Sequence, residues 1–254
     1  MISVIIPLYN QAEYLKETIK SILASTYNKI EIIIVNDGST DDSLELAKSL
    51  SEKHSIISCY SQKNQGPSVA RNLAIKYAKG YYILPLDADD LIDSNYISEA
   101  IRILEEKSDV KVVYCEAEKF DGKKGYWNLK PFDLSLLARD NMIFVSAIYR
   151  KLDWKNVGGY AEEMTWGSED WEFWISMLKD GGGVVKLPFV GFYYRIRANS
   201  RRKSVDTGKK KKIIDFINMK HSDFIKNQLK GPLRYQRTHS KLINTITSFF
   251  SARK

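Results

Sequence analysis

The sequence predicts an α/β protein built on a doubly wound, mostly parallel sheet and followed by a helical C-terminal tail. Three observations carry this. Short apolar runs alternate with segments of helical periodicity through the first 115 residues, the pattern of repeated strand–helix units. The clearest runs are continuous rather than alternating, as strands covered on both faces require. A length of 254 residues, with 44% hydrophobic and 28% charged, suits one large folded domain with a short appendage.

Residues 2–9 form the first strand. Leu15, Ile19, Ile22 and Leu23 then recur at helical spacing. A β-branched run at 31–35 ends in Asn36-Asp37-Gly38-Ser39, and Thr40 is the expected N-cap of a helix over 41–53. A weaker strand at 56–61 and a loop at 62–67 lead to a helix over 68–78, closed by Gly80. A strand at 81–86, a helix over 94–107 and a strand at 110–115 complete the unit. Beyond residue 116 the pattern weakens. A hairpin tip at 122–125, a strand over 142–150, a helix over 168–179 ended by three glycines and an extended stretch over 184–196 are expected. The charge-rich segment 201–212 precedes a helix of about 20 residues and a last helix near 242–250. The resulting division is 1–115 and 116–200 as two halves of one domain, and 201–254 as a basic helical extension.

The net charge of +8 is a property of the tail. From Arg195 onward there are 17 Lys/Arg against three acids, a net of +14; the first 194 residues carry −6. Such a tail calls for an anionic partner of its own, whereas the acidic front disfavours a nucleic-acid binder. Cys59 and Cys115 are too few for a disulfide framework. The start has no basic leader and no apolar stretch reaches transmembrane length, so a cytoplasmic protein is expected.

Ligands of open parallel sheets bind at the carboxyl ends of the strands. Polar groups gather there: Tyr9 and Asn10 after strand one, Asp37 after strand two, Asp87-Ala88-Asp89-Asp90 after strand four. Each group has a plainer reading, as a turn or a helix cap. Four carboxylates from two strand ends, one of them still within a buried strand, favour a cation instead. Oxygen-only donors select magnesium or manganese over zinc, and His54, His221 and His239 make no ligand pattern. With no P-loop and no G-x-G-x-x-G after the first strand, phosphate would be met by a metal and an arginine, Arg71 being the candidate. A second acidic site, Glu169-Asp170, follows the expected N-cap Ser168. It lies among Trp166, Trp171, Phe173 and Trp174, where apolar neighbours can raise a carboxylate toward a useful base and flat rings suit sugar faces. Trp174 reads as core.

Taken in order, Val4-Ile5-Ile6-Pro7-Leu8-Tyr9-Asn10, Val35-Asn36-Asp37-Gly38-Ser39, Asn64-Gln65-Gly66, Ala70-Arg71-Asn72, Leu86-Asp87-Ala88-Asp89-Asp90, Gly158-Gly159-Tyr160 and Glu169-Asp170 resemble family 2 glycosyltransferases over about residues 1–200. The resemblance implies a GT-A fold, with 1–115 as the nucleotide-sugar half and 116–200 as the acceptor half. It implies that Pro7, Leu8 and Tyr9 line a base pocket and that Asp37 bonds the nucleobase. Arg71, Asp87 and Ala88 would lie near the nucleotide, with Asp89 on a manganese or magnesium ion and Asp87 close by. Glu169 and Trp166 would lie on the acceptor side, and Asp170 would be the base of an inverting transfer. The expected reaction moves a sugar, with UDP as the favoured carrier, to a hydroxyl of a glycan acceptor, lipid-linked, in bacterial cell-surface polysaccharide synthesis.

One departure stands out. Where the family reads Tyr-Arg-x-His, this chain has Tyr194-Arg195-Ile196-Arg197. An arginine pairs with phosphate but does not ligate metal, so Arg197 is expected at the diphosphate. A nucleotidyltransferase is the alternative enzyme, disfavoured because Tyr9-Asn10-Gln11-Ala12-Glu13 lacks the Gly-rich basic turn of that class. A non-catalytic nucleotide-sugar binder is the alternative outside enzymes, disfavoured by both acidic sites. In the tail, Arg201-Arg202-Lys203, Lys209 to Lys212 and two apolar helical sets suggest either packing on the domain or peripheral attachment to the anionic inner face of the membrane.

Overall fold

β1 (Ile2–Leu8) is almost wholly buried and pairs in parallel on its two edges with β2 (Ile30–Asp37) and β4 (Tyr82–Pro85). The computed structural model describes residues 1–197 and 205–251. β3 (Ile57–Gln62) adds to the outer edge of β2, also in parallel. Helices α1 (Ala12–Leu23), α2 (Ser43–Lys53) and α3 (Pro67–Tyr77) connect these strands. α1 buries Leu15, Ile19 and Ile22 along one stripe, each contributing about 1.5–3 kcal/mol by leaving water.

The second half continues the same sheet with mixed polarity. After β5 (Leu91–Ile92) and α4 (Tyr96–Glu106) comes the long β6 (Val110–Asp121), which turns back through the short β7 (Gly125–Tyr126). Then follow α5 (Leu134–Leu137), β8 (Ile148–Arg150), α6 (Lys151–Asn156), α7 (Glu169–Leu178) and β9 (Gly183–Ile196). The sheet runs β3-β2-β1-β4-β8-β6-β9-β5, with β7 on β6. β6 pairs in parallel with β9 and antiparallel with β8, so the expected division at 115/116 falls inside one continuous strand. β9 in turn pairs with β5, which brings Arg195 back to the acids that precede β5.

The tail comprises α8 (Thr207–Lys220), α9 (Ser222–Leu229), a 3-10 turn (Arg237–His239) and α10 (Ser240–Ser251). Ile213, Ile214, Ile217, Phe224, Ile225 and Leu229 are buried, so α8 and α9 pack on the body. No helix among the described residues is long and apolar enough to cross a membrane. The cluster Arg201-Arg202-Lys203 lies outside the described residues.

Several local expectations shift. Asp42, not Thr40, precedes α2, because the Thr40 amide donates to Asn10 Oδ1 at 2.8 Å. α3 ends at Tyr77, and the Gly80 amide donates to Ser3 Oγ on β1 rather than closing the helix. The strand expected over 142–150 is reduced to Ile148–Arg150. The Ile143 carbonyl accepts from Trp174 Nε1 and the Ser146 carbonyl from the Tyr96 hydroxyl, so side chains take groups a sheet ladder would use. The long tail helix breaks at His221, whose ring turns inward to Glu172.

Candidate active site

The first two strand-end loops are laced together. Asn10, at a left-handed φ of 51°, accepts from the Thr40 amide and gives its own amide to Ser39 Oγ at 3.0 Å. Gln11 and Ala12 amides donate to Ser43 Oγ and Asp41 Oδ2. Tyr9 is 47% exposed at this rim and Pro7 is half-buried. Leu8 is fully buried in the core, so any contact of that residue with a ligand falls to its main chain.

Asp37 is buried and heavily used. Its Oδ1 accepts from Gln62 Nε2 at 2.8 Å and the Gln65 amide at 2.9 Å, and its Oδ2 from the Gly66 amide at 2.8 Å. A carboxylate offers about four acceptor positions, so about one is left for a ligand. Its main work in this structure is to set the loop entering α3. Gly38 serves the same loop: at φ +71° a Cβ there would stand 2.8 Å from the Asn64 nitrogen.

Arg71 does not reach out as an exposed phosphate ligand. It is buried, with Nη2 donating to Asp87 Oδ1 at 2.7 Å and Nη1 to Glu169 Oε1 at 2.9 Å. Burial opposes its charge, but the two carboxylates win and hold it firmly protonated. One guanidinium therefore joins the acids after β4 to the acids opening α7. The neighbouring Asn72 clips the Gly158-Gly159-Tyr160 turn: Nδ2 donates to the Tyr160 carbonyl, and Oδ1 accepts from the Tyr160 amide, both at 2.9 Å. A Cβ on Gly159 (φ +81°) would lie 2.8 Å from that same Oδ1.

Asp87 keeps part of its carboxylate open to solvent. Ala88 is buried, its carbonyl accepting from Thr18 Oγ1. Asp89 is only 7% exposed; burial and the Asp87 charge push its carboxyl up to about 6, against the pull of Arg197. Arg197 Nε stands 2.6 Å from Asp89 Oδ2, but its hydrogen is poorly aimed, so this is an ion pair rather than a good hydrogen bond. Asp90 is buried and accepts from the Arg195 amide at 2.8 Å; burial and Asp89 raise its carboxyl well above the usual range. Arg195 Nε donates to the Asp89 carbonyl at 2.7 Å, and its guanidinium pairs with Glu17 and Asp121. Three carboxylates within four residues, two of them raised, are the charge surplus a cation relieves. Among the described residues no group of three or more His, Cys, Asp or Glu side chains converges as a closed metal site. One or two carboxylates with phosphate oxygens completing the shell is how magnesium and manganese are commonly held, so Asp89 and Asp87 fit that ion.

At α7, Ser168 adopts φ 60° and its side chain makes no cap bond, contrary to the expected N-cap. A left-handed non-glycine residue costs on the order of 1–3 kcal/mol and here sets the direction of the acids that follow. Asp170 accepts from the Trp171 amide at 2.8 Å and from Asn141 Nδ2 at 2.9 Å. Burial and the Glu169 charge raise its carboxyl to about 6, with Arg71 opposing. Trp171 and Trp174 are core, their indole N–H groups bonded to the carbonyls of Leu137 and Ile143. Trp166 is half-buried, edge-on to Phe216 of α8 and beneath Lys212, so it faces the tail.

Two residues of the site were not singled out from the sequence. Asn141 lies in the weakly patterned stretch before β8 and carries no local signal. Arg195 stood in the quoted Tyr194-Arg195-Ile196-Arg197 stretch, where Arg197 alone was given a role. A cavity of about 460 Å³, lined by Thr207, Lys211, Ile214, Leu233 and Tyr235, lies at the tail and includes none of the candidate residues.

The family model described as glycosyl transferase family 2 matches residues 3–168, and one described as the N-terminal domain of galactosyltransferase matches 142–199. An uncharacterised glycosyltransferase of Rickettsia typhi is 34% identical over 192 residues, 70% of this chain and 59% of that protein. One of Rickettsia conorii is 46% identical over 107 residues, 42% of this chain and 18% of its own length. The glycosyltransferase GlyG of Streptococcus pneumoniae is 38% identical over 126 residues, 49% of this chain and 42% of its own. The chain thus spans 18% to 59% of the length of these relatives. Among solved structures, residues 1–349 of S. aureus TarS in complex with UDP-GlcNAc align with a TM-score of 0.75 at 21% identity, covering 96% of this chain and 70% of that one. The mannosyltransferase PcManGT of Pyrobaculum calidifontis, in complex with GDP-Man and Mn2+, aligns at 0.66 and 20% identity over 84% and 64%. These likenesses show the GT-A fold.

Proposed function

The chain belongs to glycosyl transferase family 2, and from that premise we propose that it moves a sugar from a nucleoside-diphosphate donor to a hydroxyl of a glycan acceptor, inverting the anomeric carbon. The observation that carries this reading is the Arg71 bridge, which ties Asp87 to Glu169 and so unites the two acidic sites. Tyr9, Pro7 and the free acceptor position of Asp37 receive the base. UDP is the first choice of donor nucleotide. TarS was solved with UDP-GlcNAc and PcManGT with GDP-Man, which supports the donor class.

Asp170 takes the proton of the attacking hydroxyl. Its carboxyl at about 6 lies close to neutral pH, where a base is both ionised and reasonably strong. The Asn141 amide and the Trp171 N–H hold its two oxygens in place. Glu169 is held on Arg71 and is left as an orienting group on the acceptor side, with Trp166 at its margin. Asp89 and Asp87 would hold the manganese or magnesium ion, which when bound supplies positive charge to the departing diphosphate. Arg197 brings a further positive charge to Asp89 and so to the same phosphates. Transfer is a direct displacement with no covalent enzyme intermediate. The basic tail points to a lipid-linked acceptor at the inner face of the membrane, in cell-surface polysaccharide synthesis.

The test is nucleoside diphosphate release from a panel of UDP- and GDP-sugars with manganese or magnesium, in parallel with donor-induced thermal stabilisation. Asp170→Asn should keep the stabilisation and lose transfer. Normal transfer in Asp170→Asn, with loss in Glu169→Gln, would move the base to Glu169.

A further inference from the structure

The sequence left two apolar sets in the tail, and the structure separates them. Ile213, Ile214 and Ile217 of α8 are buried against the body. Among the described side chains of α10, the two that are buried are polar: Ser240 Oγ accepts from the Arg234 amide at 3.0 Å, and Asn244 bonds the Leu229 and Pro232 carbonyls and Arg234 Nε. Beside Lys241, Thr245 and Thr247, its exposed residues include three large apolar ones, Leu242 at 60%, Ile246 at 48% and Phe249 at 55%. Their spacing of four and three places them on one stripe. Rolling the helix over to bury this stripe would cost Asn244 its hydrogen-bond partners.

The stretch of chain that carries the stripe has charge of one sign. From residue 224 to 254 there are seven Lys/Arg and no Asp or Glu, and Lys226, Lys230 and Lys241 are exposed. We propose that the exposed face of α10 is a docking surface for an anionic lipid bilayer, its apolar stripe entering the headgroup region and its lysines meeting the lipid phosphates. An apolar stripe flanked by lysine is the composition of helices that lie in a membrane interface. Each basic residue near such a surface raises partition about fivefold. The turn that leads into α10 is tied to the candidate active site. Arg139 Nη1 donates to the Thr238 carbonyl at 3.2 Å, Arg237 pairs with Asp140 at 3.5 Å, and the next residue, Asn141, bonds Asp170. A bilayer on α10 would therefore lie near the acceptor end of the site, where an acceptor on a lipid carrier would be presented.

The inference deepens the membrane reading above but is independent of the transfer chemistry, and its test keeps the two apart. The full chain should sediment with phosphatidylglycerol-containing vesicles at low salt, less at high salt, and little with phosphatidylcholine alone. Leu242→Ser/Ile246→Ser should weaken that binding at least about tenfold with an unchanged unfolding temperature. Replacing Lys226, Lys230 and Lys241 by Gln should remove most of the salt-dependent part. Diphosphate release with a water-soluble acceptor, measured on the same samples, reports the transferase reading separately and should not change. Absence of vesicle binding by the full chain, or undiminished binding by the Ser variant, overturns the proposal. So does a dimer in the full chain that the Ser variant abolishes, because the stripe would then belong to a second copy.

Discussion

Asp89 and Asp170 reach the same condition by different routes. Each is the second acid of a cluster whose partner, Asp87 or Glu169, is held by Arg71. Each has a carboxyl raised to about 6 by burial and by its acidic neighbour. Their remaining partners differ. Asp89 faces a cation, Arg197, whereas Asp170 faces a neutral amide, Asn141. An arginine beside a carboxylate compensates its charge, whereas neutral donors orient it without adding charge of their own. A single arginine thus holds one acid of each cluster and leaves the other to different partners.

The comparison breaks most completely at Arg71. Arg71→Met leaves Asp87 and Glu169 without their buried partner and should cost about 3–5 kcal/mol of stability, read in denaturant unfolding, with loss of transfer. Arg71→Lys should recover part of the stability, because one ammonium cannot reproduce a fork with two separate acceptors. Full stability in Arg71→Met would mean that the two clusters do not depend on the bridge.

Asp170→Asn should lower transfer by about 10²–10⁴ with donor binding retained. It also tests the sign of the electrostatics. The folded carboxyl is raised above its unfolded value, so the folded state binds more protons between about pH 4 and 6 and loses stability as pH rises through that window. The amide variant should therefore be more stable than the parent at neutral pH, by on the order of 1–2 kcal/mol, allowing for partial solvation of the group. It should show no such excess below pH 4. Transfer by the parent should rise with pH through about 6.

Asp89→Ala should abolish the manganese-dependent stabilisation by nucleoside diphosphate and leave unfolding without metal little changed. Retained metal dependence would place the ion elsewhere.

The smallest expected effect is at Asn141. Asn141→Leu removes a donor to the ionised form of Asp170, so the acid limb of the pH–rate profile should move to higher pH. The rate at high pH should change little. A uniform loss of rate at every pH would instead mark Asn141 as merely structural.

Much of the first half was legible in the sequence because its signals are local. β1, β2 and β4 read as strands because burial on both faces demands runs such as Ile32 to Val35. Asp87 was suspect because it read as still within such a strand, but β4 ends at Pro85 and Asp87 stands in the loop after it. The second half was read less well. The strand expected over 142–150 is largely irregular because Trp174 and Tyr96, distant in sequence, take its carbonyls. The tail helix breaks at His221 because its ring bonds Glu172 on α7, which no helical periodicity encodes.

The sequence by itself determined which residue types stand at the strand ends and in what order, since strand period, turn chemistry and motif spacing are written along the chain. Only the tertiary structure decided how their charges are divided. Arg71 and Glu169 are 98 positions apart, Asn141 and Asp170 are 29 apart, and Arg195 closes on Asp90 across 105. Which carboxylate meets an arginine, an amide or solvent depends on folded distances. The same holds for α10, whose pattern read as another apolar set in the tail. Its outward face was decided by Asn244, whose amide finds its partners only in the turn at 229–234 that folds against it.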